Sequence, residues 1–447
     1  MSWRDETQQR RIAIITLPLA GHMNPMGVLA DALKARGHKV VVVGPPKLCD
    51  LARAHMPGVD TFTISDAEYP PGRLEGFVNL LPDVRGLRGI RRVITEIADL
   101  SALYARELPG ALRTLQADTV VADQLEPAAG VIARALGLSH ASIACALPMN
   151  REPALPPPYL GWPFRDHPLW RSLYGGGYLV IDRMMAPQAE VLRHTAARYG
   201  LPEKGTVSDW VSHDCDLSQC IPGFDYPRRT GPTHLGPLRR REPFGPDGFE
   251  RDGRELVFCS LGTIMGGRRD LFEAVAQACA RNVVQCVIAH GGRLSDSDVA
   301  HLSALPGQPV VRDFVNQENV LSECRAAVLH GGFNSVLDAL SGGVPMVLLP
   351  LAFEQAAIAA RVKRAGAGVV LRRPTAESIG SSLEAVLNHR KPRKAALEFA
   401  RASAMAGGVV SAVMRIEASR PHPNPRLQTP EVGPVRVRRR PFARMPR

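Results

Sequence analysis

The sequence predicts an α/β protein of two doubly wound parallel sheets, and three observations carry that expectation. The chain has 447 residues, 45% of them hydrophobic and 22% charged, enough to bury two cores and too many for one ordinary domain. Apolar runs of strand length alternate with helical patterns twice over, the order that parallel sheets with covering helices require. Between the two series, residues 222–254 turn rich in Pro, Gly and Arg and lose periodicity over their centre, as an interdomain linker does.

The first series opens with a continuous apolar run at 11–17, read as a buried strand. A loop, Pro18-Leu-Ala-Gly-His-Met-Asn-Pro-Met26, follows it, with Asn24 placed to cap and Pro25 to begin a helix that reaches Arg36. Gly37 stops that helix, and 39–43 supplies the second strand. Further strands are expected at 61–64, 119–122, 140–144 and 217–221, with long helical stretches between them. The second series has strands at 255–260, 283–289, 310–314, 326–329, 345–349 and 368–371, separated by helices such as 270–281, 335–340 and 355–365. The expected units are therefore 1–225, a linker at 226–253, a second domain at 254–418 and a tail at 419–447. Ligands in such sheets bind beyond the carboxyl ends of the strands, so the chemistry is sought in those loops.

Three loops stand out. His22 follows the first strand, in a loop whose lone Gly21 lacks the G-x-G-x-x-G of dinucleotide binding. At Val328-Leu-His-Gly-Gly-Phe-Asn-Ser335 a strand ends in His330, two glycines permit close backbone approach, and a helix begins at Asn334-Ser335. Free N–H groups and a positive dipole end make that turn an anion site without metal. Leu349-Pro-Leu-Ala-Phe-Glu-Gln355 then places a carboxylate and an amide at another strand end, a pairing suited to sugar hydroxyls and equally to an ordinary helix start. Two Asp-x-Asp matches, Asp214-Cys-Asp216 and Asp296-Ser-Asp298, read as structural, since neither stands beside the anion site and Ser295 makes the second a helix cap.

Residues 310–368 resemble the sugar-nucleotide box of the family 1 glycosyltransferases. The carrying residues are Phe314, Gln317, His330, Gly332, Asn334, Ser335, Asp338, Gly343-Val344-Pro345 and Glu354-Gln355. The resemblance implies the GT-B fold, two Rossmann-like domains facing across a cleft, with acceptor in the first and UDP-sugar in the second. It further implies that Phe314 stacks near the uracil, Asp338 binds the ribose hydroxyls, and His330, Asn334 and Ser335 hold the diphosphate. Glu354 and Gln355 would grip the sugar. Phe314 replaces the Trp, and Asp338 the Glu, of the plant form. Ser260-Leu-Gly-Thr263 is similar to the family's loop that faces the diphosphate, which brings in Gly262 and Thr263. His22 falls where the family keeps its base and Asp123 where it keeps the acid that orients that base. A neutral histidine so held takes the acceptor proton as the oxygen displaces the diphosphate, inverting the anomeric carbon, with no metal or other cofactor expected.

Within the family the sequence looks most like the bacterial branch acting on carotenoids, through Pro222–Arg229, Ser260–Gly266, Asn334–Leu340 and Leu349–Gln355. That implies UDP-glucose as donor and an apolar hydroxylated acceptor, zeaxanthin or a related hydroxycarotenoid. Macrolide, sterol or other lipid acceptors stand as alternatives, as do a UDP-sugar epimerase and a non-enzymatic binder of apolar molecules. Between Pro156 and Tyr178 lie Tyr159, Trp162, Phe164, Trp170, Tyr174 and Tyr178, interleaved with Arg165 and Arg171. This mixture suits a membrane interface or an acceptor mouth, and equally a packed lid.

Composition excludes other classes. Eight arginines against one glutamate after Ser419 carry +7 of the net charge of +12, so the body is only mildly basic and no nucleic-acid partner is expected. The Pro-rich tail reads as disordered and solvated, with contact to an anionic membrane or partner as the other reading. The N-terminus lacks a signal-like apolar stretch and no apolar run reaches about 18 residues, so a cytoplasmic protein, peripheral at most to the inner membrane face, is expected. The eight cysteines are scattered in apolar segments without a C-x-x-C pair, as reduced core residues rather than zinc ligands.

Overall fold

In a computed structural model of the chain, which describes residues 9–84, 86–240 and 249–421, both sheets are present and every strand pairing within them is parallel. The first sheet has the order β3-β2-β1-β4-β5-β6-β7. Its strands are β1 (Arg11–Ile15), β2 (Lys39–Gly44), β3 (Asp60–Thr63), β4 (Thr119–Asp123), β5 (Ser139–Ala144), β6 (Cys215–Ser218) and β7 (Thr233–His234). The second has the order β10-β9-β8-β11-β12-β13, from β8 (Leu256–Ser260), β9 (Gln285–Ala289), β10 (Val310–Arg312), β11 (Cys324–Leu329), β12 (Met346–Leu348) and β13 (Gly368–Val370). Both wind outward from a first strand, return, and wind the other way. Each sheet thus has a topological switch point, between β1 and β4 and between β8 and β11, where the strand ends splay and leave a crevice.

The central strands are apolar on both faces because helices cover both. Ile12–Ile15 and Leu256–Ser260 are buried throughout, and all eight cysteines are buried and unpaired.

Two segments fall outside the units expected from sequence. The stretch 226–253 contains β7, and Leu235 and Leu238 sink into the core of the first sheet. A two-residue strand is too short to show an alternation, so the segment read as linker alone; residues 241–248 lie outside the described residues. The last helix, Gly408–Ala418, leaves the second unit and buries Ala412, Val413 and Ile416 in the first core. Glu417 there binds Arg36 at 2.9 Å and His38 at 3.0 Å. The tail expectation concerns residues that, from 422 onward, lie outside the described residues.

A buried ion pair also joins the halves. Arg361, on the helix Gln355–Ala365, donates to Asp225 at 2.7 Å, both side chains being 1% exposed, and its guanidinium lies over the Tyr226 ring. Burial pushes the Asp225 carboxyl up, but Arg361 and Arg228 overcome that and hold it far below the usual carboxylate range.

Candidate active site

His22 lies at the first switch point. The helix carrying it spans Ala20–Ala35 with Leu19 as N-cap, so His22 is its third residue rather than part of a loop. Asn24 does not cap, and Pro25 lies inside the helix rather than at its start. The displacement has a chemical consequence. Pro25 has no N–H to give the carbonyl four residues back, so Gly21 loses its ordinary helical partner, and that oxygen accepts instead from the Asn334 side-chain amide at 2.6 Å.

At the end of β4, Asp123 is 1% exposed. His22 Nδ1 meets its Oδ2 at 2.6 Å, while the other oxygen accepts the Leu125 N–H at 2.9 Å. A carboxylate can only accept, so the imidazole donates from Nδ1 and keeps Nε2 unprotonated in the neutral ring. Burial pulls the His22 pKa down, yet the Asp123 charge and hydrogen bond, with Glu354 across the cleft, outweigh it and leave it above the ordinary histidine value. Sequence reasoning missed Cys145, whose sulfur lies within 4.8 Å of the ligand atoms of both residues. Among the described residues these three are the one grouping of side chains with metal-ligand spacing, and two of them already bind each other.

At the second switch point, His330 follows β11. Its ring is wedged between two loops: a Cβ added at Gly262 would come to 2.7 Å from Nε2, and one at Gly332 to 2.4 Å. Only glycine fits at either position. Nδ1 faces the Ser260 carbonyl at 3.3 Å, so that nitrogen carries the hydrogen. Burial drives the His330 pKa down to about 4, and the ring is neutral. Thr263 sits in the short helix Gly262–Met265 just after β8. The helix Phe333–Ser341 begins ahead of the Asn334-Ser335 start expected from the sequence, with Gly332 as N-cap and no side chain capping it. Its first-turn N–H groups, including those of Asn334 and Ser335, face the crevice end of the helix, as an anion site requires.

Further along, Phe314 is 68% exposed and its ring lies against Gly292, an open platform. Asp338 is 8% exposed; one oxygen accepts from Gln317 at 2.6 Å and the other from Arg239 at 2.6 Å. Ser335 donates to Gln317 at 3.3 Å. Glu354 is the N-cap of the helix Gln355–Ala365, and Phe353 before it is held at φ 53°, a left-handed conformation costing about 1–2 kcal/mol for a residue with a side chain. The Gln355 side-chain oxygen Oε1 accepts the N–H groups of Leu351 and Ala352 at 2.7 and 2.9 Å, so it shapes its own loop.

The structure therefore sets His22 against Asp123 with Glu354 near enough to act on the ring electrostatically, brings Gly262 and Thr263 after β8 beside His330, Gly332, Asn334 and Ser335 after β11, and joins Gln317 to Asp338, with Phe314 exposed. Both Asp-x-Asp matches are structural. Ser295 and Asp298 form a capping box, and Asp216 is bound by Gln124 at 2.7 Å and Asn150 at 2.6 Å. Within the aromatic segment Trp162 and Trp170 pack against Tyr174, while Phe164 stacks on Tyr226 outside it. The exposed apolar side chains there are instead Leu169, Leu173, Leu179 and Val180, on the helix Pro168–Met184. Among the described residues no single helix is long and apolar enough to cross a membrane.

Comparison with known proteins bears on this arrangement. Residues 278–415 match the family described as erythromycin biosynthesis protein CIII-like, C-terminal domain. The chain is 32% identical over 412 residues to the zeaxanthin glucosyltransferase of Pantoea ananas, covering 91% of this chain and 95% of the relative. To that of Pseudescherichia vulneris it is 33% identical over 361 residues, 80% of this chain and 84% of the relative. The crystal structure of the calicheamicin glycosyltransferase superposes with a TM-score of 0.69 at 22% identity, over 92% of this chain and 98% of that one.

Proposed function

The chain belongs to the family 1 glycosyltransferases of GT-B fold, and on that premise we propose that it transfers glucose from UDP-glucose to a hydroxyl of a hydroxycarotenoid such as zeaxanthin, with inversion and without a metal ion. The observation that carries the mechanism is the His22–Asp123 contact at 2.6 Å, at one switch point and facing the anion site of the other. Asp123 fixes the tautomer, His22 Nε2 takes the acceptor proton, and the acceptor oxygen attacks the anomeric carbon from the face opposite the diphosphate. A single displacement inverts that carbon. The leaving diphosphate collects its negative charge at the N–H groups of the helix Phe333–Ser341, which serves in place of a cation. Phe314 stacks on the uracil and Asp338 with Gln317 meets the ribose. Glu354, close enough to influence His22 electrostatically, lies where the sugar hydroxyls would stand between the two.

An apolar acceptor is supported by identity to the two zeaxanthin glucosyltransferases over most of the chain. A small recess lined by Met149, Tyr159, Ile181 and Met185 but also by Arg151 and Asp182 adjoins the reaction centre through Tyr159, which lies near both Glu354 and Asp123. Incubation with UDP-glucose and zeaxanthin, read by mass spectrometry, is expected to give added hexose and free UDP. An altered UDP-sugar with no glycoside would overturn the transfer reading in favour of an epimerase. The metal-free account predicts undiminished turnover in EDTA, and loss of activity restored by Mg²⁺ would refute it.

A further inference from the structure

Arg239 has no place in the motif that defines the donor site, yet it is bonded to two residues of that site, Asp338 and Asn334. Its Nε donates to Asp338 at 2.6 Å. One terminal nitrogen donates to Gln219 at 3.1 Å and to the Leu238 carbonyl at 2.9 Å. The other reaches the Asn334 side-chain oxygen at 3.1 Å and its backbone carbonyl at 3.4 Å. All five guanidinium N–H groups are thereby used on protein acceptors, and the side chain is 19% exposed. An arginine meant for a phosphate would keep part of its fork open; this one is closed.

The acceptors come from both halves of the molecule. Gln219 follows β6 of the first sheet, whereas Asn334 and Asp338 lie on the first helix after β11. Gln219 also donates to the Asn334 side-chain oxygen at 2.8 Å, and the Asn334 amide nitrogen donates to the Gly21 carbonyl at 2.6 Å, the oxygen that Pro25 leaves without its helical partner. Gly21 immediately precedes His22. A continuous chain of hydrogen bonds therefore runs from the ribose-side carboxylate, through Arg239 and Asn334, to the first turn of the helix that presents the base.

We propose that Arg239 is a positioning residue for sugar transfer: with Asn334 it forms a clasp that fixes the register of the donor site against the base-bearing helix. The inference rests on the reading of the Gly332–Ser335 turn as the diphosphate site. Rate in such a reaction depends on the separation and alignment of base, acceptor oxygen and anomeric carbon, and a misplacement of about 1 Å costs as much as about 100-fold. A loosened clasp should accordingly lower kcat while leaving donor affinity largely in place, since Gln317 still holds Asp338 and the helix N–H groups remain.

Two variants separate positioning from folding. Arg239→Met removes the whole fork; Arg239→Lys keeps a cation for Asp338 but cannot span Gln219 and Asn334 together. The melting temperature of the lysine variant is expected to recover toward that of the parent, while its kcat stays about 10-fold or more down and its KM for UDP-glucose moves far less. Parental kcat in the lysine variant would overturn the clasp. So would a loss that saturating donor restores, because that marks Arg239 as a donor contact. If neither variant folds, Gln219→Leu, which leaves the Arg239–Asp338 pair intact, is held to the same expectation and the same refutation. A parent chain that binds no UDP in calorimetry would overturn the donor-site reading and the clasp together, whereas a parent that binds UDP confines any failure to the clasp.

Discussion

Replacing Asp123 with asparagine preserves size and shape and changes only what the side chain can accept. The carboxylate serves two donors at once, His22 Nδ1 at 2.6 Å and the Leu125 N–H at 2.9 Å. An amide has one acceptor oxygen. If that oxygen stays with Leu125, the NH₂ group faces His22 and forces the ring into the opposite tautomer, with the proton on the nitrogen that should receive one. General-base catalysis contributes about 10²- to 10⁴-fold, so kcat should fall by roughly that factor. The residual activity carries a second signature. Burial lowers the His22 pKa and Asp123 raises it. With the charge removed, burial dominates, and the acid limb of kcat/KM must move to lower pH than in the parent, whose limb lies above the ordinary histidine value. The assay is glycoside formation against pH across the neutral range, with UDP binding by calorimetry as the control for an intact donor half. A variant within threefold of the parent at every pH, with an unmoved acid limb, would refute the dyad.

Three further outcomes are expected. His330 is neutral with its hydrogen on Nδ1 and its pKa pushed down to about 4, so it can donate to a diphosphate only after protonation at Nε2. UDP binding should therefore take up a proton and weaken as pH rises, and calorimetry in buffers of different ionisation heat giving zero uptake would contradict this. Glu126 is buried, bound by Ser101 at 2.9 Å with its second oxygen unpartnered, and burial raises its pKa from 4.5 to about 8. The folded chain thus keeps a proton that the unfolded chain has lost, so stability falls as pH rises between those two values. Glu126→Gln should raise the melting temperature more at alkaline than at mildly acidic pH, and an equal change at both would count against it. Finally, if the exposed face of Leu169, Leu173, Leu179 and Val180 meets lipid where an apolar acceptor resides, replacing all four with serine should abolish flotation with anionic liposomes and leave turnover of a water-soluble acceptor unchanged; undiminished flotation would remove that face from consideration.

What the sequence made legible was local. His330, Gly332, Asn334 and Ser335 lie on one turn, and their adjacency there follows from the end of β11 and the start of the next helix. The helix Gln355–Ala365 has the bounds expected from sequence because Gly366, at φ 71°, terminates it as glycine does. Features depending on distant partners were illegible. Pro25 looks like a helix start by the usual statistics, and only Asn334, more than 300 residues away in sequence, explains why a proline inside the first turns is useful. Arg239 is one of three consecutive arginines in an aperiodic stretch, with nothing local to distinguish it from its neighbours. The final helix belongs to the first core through Ala412, Val413 and Ile416, yet its pattern reads equally well as part of the second unit.

The two switch points also set an electrostatic condition on catalysis. Asp123 and Glu354 already favour the protonated form of His22, and a diphosphate arriving across the cleft adds negative charge on the same side. Unopposed, donor binding would push the imidazole further toward the protonated form and disarm the base before acceptor arrives. The positive end of the helix Phe333–Ser341 counters this, because its partial charge of about half a unit acts within one turn of the N-terminus, where the phosphates would lie and where Asn334 reaches the residue before His22. On the proposed mechanism, the same helix start would both stabilise the leaving group and shield the base from it. This is how a base that Asp123 and Glu354 both push toward protonation would be kept in its neutral form without a divalent cation.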